Sequence, residues 1–155
     1  MRRAAAAAVA TLLLSAGLTA CTSSTESYCS QLKDDQKKLE RDSANAAKPG
    51  SNALGDTVSL LTGLQDKAPD DISDDWDTLV SALKNLEDAV KATGADYGDF
   101  VAGKKPPGVT DGQFNAVQQA AGELSSTRVQ QAATSIQQHA LDVCKVDLGG
   151  GLGAG

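Results

Sequence analysis

The sequence predicts an all-α fold, an antiparallel bundle of four long helices and a short one, and three observations carry that reading. Ile72, Trp76, Leu79, Leu83, Leu86 and Val90 recur at steps of 4, 3, 4, 3 and 4, the seam of a helix packed along its whole length. Ala, Leu, Gln, Asp and Lys are abundant and β-branched runs are few, which favours helix over strand. Gly and Pro cluster at 48–50, at 69 and through 94–108, cutting the chain into helix-length pieces.

Taken in order, the first helix opens at Ser23, whose spacing from Glu26 fits a capping box, and runs to about Ala47. Tyr28, Leu32, Leu39 and Ala46 share one side of it. Lys33, Asp34, Lys37, Lys38 and Arg41 make a solvated face, and Lys48-Pro49-Gly50 ends the helix. Ser51 fits the cap of a second helix, striped by Leu54, Val58, Leu61 and Leu64, widened by Leu60, and closing near Ala68-Pro69. Pro69 suits the first turn of the third helix and Gly94 the position just beyond its end. Residues 95–110 form a long connection with one helical turn around Asp96 to Ala102. Thr110 or Asp111 caps a shorter helix bearing Phe114, Val117, Ala121 and Leu124, interrupted by Gly122 and Ser125-Ser126. Ser126 caps a last helix, with Val129, Ala132, Ile136, Ala140 and Val143 inward. Gly149 to Gly155 offers too little side chain to fold and reads as a flexible tail.

The segment before the bundle has a different logic. Met1-Arg2-Arg3 is followed by an apolar run from Ala4 to Gly17, densest at Leu12 to Leu14, the order of a signal peptide and short for a membrane span. The run ends at Leu18-Thr19-Ala20-Cys21, small residues before a cysteine thiol. These four residues resemble the lipobox of bacterial lipoproteins. The resemblance implies a diacylglyceryl thioether on Cys21 and cleavage before it; the alternative is an ordinary secretory signal beside an unrelated cysteine. The residues around Arg2-Arg3 do not suit twin-arginine export, so general secretion is expected. Residues 1–20 are thus a cleaved signal, 21–25 a tether, 26–148 the bundle and 149–155 the tail. Thr22 to Thr25 extends at most about 14 Å, keeping the domain near the bilayer. The lipid bilayer, held through Cys21 on the extracytoplasmic face, is the first expected partner.

Composition narrows the remaining classes. Loss of Arg2 and Arg3 leaves 12 of the 14 basic residues against 20 acidic ones, a formal charge of −8. Such a surface repels nucleic acid, so no nucleic-acid partner is expected. One Trp, two Tyr and two Phe are few rings for sugar or base stacking. Beyond Cys21 only Cys29 and Cys144 remain, an even pair that outside the cell reads as a disulfide. Cys29 lies near the start of the first helix and Cys144 closes the last. In an up-down-up-down bundle these ends meet, so pairing and topology support each other.

A second resemblance covers most of the bundle. Tyr28-Cys29 opening the first helix, Ala68-Pro69-Asp70-Asp71-Ile72 opening the third, and Cys144 near the end resemble a group of small helical lipoproteins of actinobacteria. The alanine-rich, arginine-led signal is similar as well. What this implies is a fold and a location on the cell surface; the group has no established activity, and no site follows from the likeness.

Candidate sites are weighed residue by residue. Asp66, Asp70, Asp71, Asp74, Asp75 and Asp77 put six carboxylates in twelve residues. They suggest a divalent-cation patch, but they lack the Gly turn and closing Glu of an EF-hand and interleave with Ile72 and Trp76. They read better as the outer face of a helix start, where carboxylates meet the positive end of the dipole. His139, the sole histidine, has no marked nucleophile or orienting group and reads as a partly exposed surface residue. The glycine-rich stretches hold no phosphate loop. Lys104-Lys105-Pro106-Pro107 is either a partner-docking loop or a plain exposed connection. Trp76 reads as core, with a ligand pocket beside it as the alternative.

The expected function is therefore non-enzymatic: a membrane-anchored lipoprotein acting by contact with a protein or another envelope component. Trp76, Lys104 and Lys105 are the residues named for that surface, and no catalytic residue, metal ligand or cofactor is expected. A small-molecule or metal-binding lipoprotein, with its pocket near Trp76 or near Tyr97 and Phe100, is the alternative.

Overall fold

The computed structural model describes residues 20–45, 48, 50 and 52–148. Among them lie five α-helices and no strand: α1 (Ala20–Asn45), α2 (Ala53–Gln65), α3 (Ser73–Lys91), α4 (Asp111–Leu124) and α5 (Thr127–His139). A 3-10 turn occupies Tyr97–Asp99 and a π-helical turn Ala140–Cys144. The signal segment, the Ala46–Ala47 end of the first helix, Ser51 and the glycine tail lie outside the described residues. The predicted all-α bundle is the observed fold, and Cys29 is bonded to Cys144, joining α1 to the turn that ends α5.

The bundle has four columns because α4 and α5 run as one bent rod. The rod breaks at Ser125–Ser126, where Ser126 caps α5 by accepting a hydrogen bond from the Val129 amide at 3.4 Å. Its two halves pack against opposite ends of α3, the central helix, which also lies along α2; α1 rests against α2 and the π-turn. At α4's start Thr110 and Gln113 form the reciprocal cap: the Gln113 amide donates to Thr110 Oγ1 at 3.3 Å and the Thr110 amide to Gln113 Oε1 at 3.0 Å. Gln113 also donates through Nε2 to the Ala92 carbonyl at 2.8 Å, tying the head of α4 to the tail of α3. Gly94, at φ +71°, supplies the left-handed residue that lets the chain leave α3.

The core falls into two clusters. One gathers Tyr28, Leu32, Leu61, Leu64, Ile72, Trp76, Val129, Ile136, Ala140 and their neighbours at the disulfide end. The other holds Leu54, Val58, Leu86, Val90, Phe100, Val109 and Val117 at the far end. Leu83 and Leu124, partly buried, touch both and join them.

Several expectations are corrected in detail. Pro69 precedes α3 in a separate turn, closed by the Ile72 amide donating to the Pro69 carbonyl at 3.1 Å, so it is not a first-turn residue. Ile72 stands immediately before the helix. α1 begins at Ala20, so residues 21–25, read as a tether, and Ser23, read as the cap of the first helix, belong to the helix's opening turns. Val143, expected inward, is half exposed. An α-helix continuing from Ala140 would bring position 143 back to the core. The π-turn takes more residues per turn and returns Cys144 to the core instead, with Leu141 and Val143 outside.

The seam of α1 also differs from its reading. Tyr28, Leu32 and Leu39 are buried as expected, but the same 4-3-4-3 series passes through Asp35 and Asp42, only 5% and 7% exposed. Each carboxylate is met by a neighbouring cation, Lys38 Nζ at 2.7 Å from Asp35 and Arg41 Nε at 3.0 Å from Asp42. Lys33, Asp34, Lys37, Lys38 and Arg41, the residues expected to form a solvated face, are all exposed, and Asp35 and Asp42 lie outside that set.

Candidate functional site

The most heavily built part of the molecule is the end where Cys29, Cys144, Tyr28, Trp76 and His139 converge. Four elements deliver these residues. Tyr28 and Cys29 come from the start of the packed part of α1, Trp76 from the first turn of α3, His139 from the last turn of α5, and Cys144 from the π-turn. The π-turn ends with Lys145 in the left-handed region at φ +57°. The Val146 amide then reaches back to the Ala140 carbonyl at 3.0 Å, a six-residue closure that satisfies an end carbonyl while Val146 buries itself. Past it, the Asp147 carbonyl accepts from Gln36 Nε2 at 2.7 Å, so the chain after the disulfide is strapped along α1.

Inside this end, Trp76 and Tyr28 are fully buried and meet edge to face at 6.2 Å. Trp76 Nε1 donates to the Tyr28 hydroxyl at 3.3 Å, so the one polar atom of the indole is satisfied in the core. Burial raises the Tyr28 hydroxyl from 10.0 to about 12, with the Asp71 carboxylate pushing the same way and the Trp76 hydrogen bond opposing. The ring of His139 lies edge-on to Tyr28 at 5.7 Å. Its side chain is only 8% exposed, and Nε2 stands 3.7 Å from the exposed carboxylate of Asp71. Nδ1 is buried with no hydrogen-bond partner. His139, expected as a partly exposed surface residue, is partly exposed but turns its ring inward, because position 139 repeats the Ile136 face one helical turn on and meets Tyr28 there. Burial keeps the Tyr28 phenol protonated.

The other expected site residues are dispersed. Trp76 has no exposed surface, so it does not contribute to an outer partner surface. Lys104 and Lys105 are exposed at the opposite end, on the 95–110 connection. Lys105 Nζ reaches Asp111 at 2.5 Å, and that hydrogen bond and charge lower the Asp111 carboxyl below its ordinary range. Phe100, near which a pocket was the alternative, is buried and stacks on Phe114 at 6.3 Å. Of the acidic run, Asp74 and Asp75 occupy the first turn of α3 and Asp77 accepts from Gln65 at 2.6 Å. Among the described residues, no group of three or more His, Cys, Asp or Glu is placed to hold a metal ion.

Sequence reasoning missed a cleft of about 700 Å³ between α3 and α4. Ala82, Ala89 and Ala120 leave the space. Asn85 and Gln119 line it, and the Arg128–Glu123 pair, 3.0 Å apart, sits at one end. Alanines at these positions read equally well as ordinary helix formers, so nothing in the sequence marked the gap.

The fold and this end of the molecule define a disulfide-closed all-helical bundle, fastened where its first helix begins. Comparison with protein-family models, curated proteins and solved structures finds no match. Among the described residues no helix is long and apolar enough to cross a membrane.

Proposed function

We propose that the protein is an extracytoplasmic lipoprotein, anchored through a diacylglyceryl group on Cys21, whose helical domain acts without catalysis by contact with another protein or component of the cell envelope. The observation that carries this reading is the Leu18-Thr19-Ala20-Cys21 sequence at the end of an apolar run. A disulfide between the two remaining cysteines is consistent with it, since such bonds persist in oxidising compartments. Two acyl chains hold a protein firmly where one does not. The acidic surface disfavours nucleic acid and turns the choice of partner toward protein or envelope polymer.

The test is metabolic labelling with an alkyne fatty acid, with the Cys21→Ala chain in parallel. Labelled protein in the membrane fraction, with label and retention both lost in Cys21→Ala, supports the reading; an unlabelled, freely released wild-type chain overturns it. Crosslinking in the native membrane then identifies what the domain holds. A recurrent protein or envelope partner supports contact as its mode of action, and its absence turns the reading to the alternative.

That alternative, a small-molecule-binding lipoprotein, is favoured by the α3–α4 cleft, whose size matches ligand sites in other proteins. A compound that raises the melting temperature of the wild type but not of Asn85→Leu would establish it, because binding to the folded state alone stabilises it.

A further inference from the structure

We propose that Leu141 and Val143, the two exposed apolar side chains of the π-turn, rest in the membrane interface beside the acyl anchor. The inference builds on the anchoring at Cys21 proposed above. Among the described residues three large hydrophobic side chains are about half exposed or more: Val101, Leu141 and Val143. Two of the three stand on one turn, and the turn's π geometry puts both outside.

The position of that turn relative to the anchor is fixed by the chain itself. α1 is continuous from Ala20, so Cys21 and Cys29 lie on one helix, eight residues and about 12 Å apart along its axis. The disulfide holds the Cys144 Cα 5.0 Å from that of Cys29. The π-turn is therefore bound to the flank of α1 about two turns from the lipidated residue. A lean of the bundle toward this flank brings Leu141 and Val143 down to the level of Cys21. In that pose the exposed Lys33 and Lys37, one and two turns beyond Cys29, approach lipid phosphates, while Lys145 beside Val143 donates to the Asp142 carbonyl at 2.7 Å. The neighbouring Asp142 carboxylate is engaged by Gln138 Nε2 at 2.6 Å. Val101, on the 95–110 connection at the other end of the bundle, stays clear of the bilayer.

The experiment places one new tryptophan at a time in the full, acylated chain: Leu141→Trp, Val143→Trp, or Val101→Trp as control. Each protein is reconstituted in phosphatidylcholine–phosphatidylglycerol vesicles carrying brominated acyl chains. Trp76, buried in the core, adds a constant background. Intact mass first confirms the diacylglyceryl group on Cys21, and circular dichroism confirms the helical fold. Because both turn positions are already exposed, either variant suffices. Quenching roughly twofold stronger at 141 or 143 than at 101, with a blue-shifted emission, is expected for side chains at the headgroup–acyl boundary. Equal quenching at all three positions of a correctly acylated chain overturns the proposal while leaving the anchor intact. A chain whose mass lacks the acyl group fails the anchoring reading itself, and this proposal falls with it.

Discussion

The two ends of the bundle are built on different principles. At the disulfide end, residues from α1, α3, α5 and the π-turn enclose two fully buried aromatics, and the backbone is cross-linked and strapped. At the far end the core is formed by α2, α3, α4 and the 95–110 connection, with Phe100 and Phe114 stacked at its edge. Among the described residues α1 contributes none to that second cluster. Where its seam approaches the far end it carries Asp42 in place of an apolar side chain, with Asp35 two seam positions earlier. A buried carboxylate with a single cationic neighbour costs more desolvation than an aliphatic chain would, so α1 grips strongly at its start and weakly toward its end. The difference shows that one helix of a bundle need not be held evenly along its length, and that a staple is placed where the helix already packs best.

The comparison can be broken by removing the staple. Replacing both Cys29 and Cys144 by Ser should lower stability by about 4–5 kcal/mol, the chain-entropy value for a loop closed across a sequence separation of 115. Urea unfolding measures it. A loss below about 1 kcal/mol would mean that packing alone fastens the first end.

The same deletion at both ends sharpens the contrast. Leu64 and Leu86 are both fully buried, one in each cluster. Leu64→Ala, in the cross-linked end that cannot collapse around a void, should cost about 4 kcal/mol. Leu86→Ala, beside the uncrosslinked connection, should cost nearer to about 2 kcal/mol because that region can relax. Equal costs in urea unfolding would remove the distinction.

The aromatic pair gives a pH signature confined to one end. The Tyr28 hydroxyl is raised from 10.0 to about 12 in the folded state, so the folded chain holds its proton where the unfolded chain releases it. Its contribution is complete below pH 10 and is lost as pH rises through about 12. Two pK units correspond to about 2–3 kcal/mol. Wild type minus Tyr28→Phe, followed by unfolding across that window, should reveal a slope absent below it. A flat difference would mean that Tyr28 is not enclosed as described.

The smallest effect lies at the far end. Thr110→Ala removes the hydroxyl half of the reciprocal cap on α4 and should cost about 1 kcal/mol, read by thermal unfolding. Amide exchange should quicken in the first turn of α4 and remain unchanged around Tyr28.

Much of this was legible in the chain. The regular 4-3 spacing from Ile72 to Val90 announced α3, since a helix buried along its length must repeat its apolar residues at the helical period. Ser126 and Thr110 announced two helix starts, because their hydroxyls satisfy amides that no helical carbonyl reaches. The pair Cys29 and Cys144 announced the closure, since no other cysteine follows Cys21. These are local or counting arguments, and they hold whatever the rest of the chain does.

What tertiary structure alone decided is which faces meet and how tightly. Asp35 and Asp42 were not among the residues that the sequence assigned to the seam, and the packing of α1 placed them there. His139 read as a partly exposed surface residue, and only the packing of α5 turned its ring against Tyr28. Val143 read as core until the π-turn shifted the register, a change that no residue type in Ala140–Cys144 signals. The α3–α4 cleft is a gap between two helices, and a gap has no residue of its own. Periodicity, capping and cysteine number are properties of the chain and survive in the sequence; burial, register shifts and cavities are properties of pairs of elements, fixed only when those elements pack.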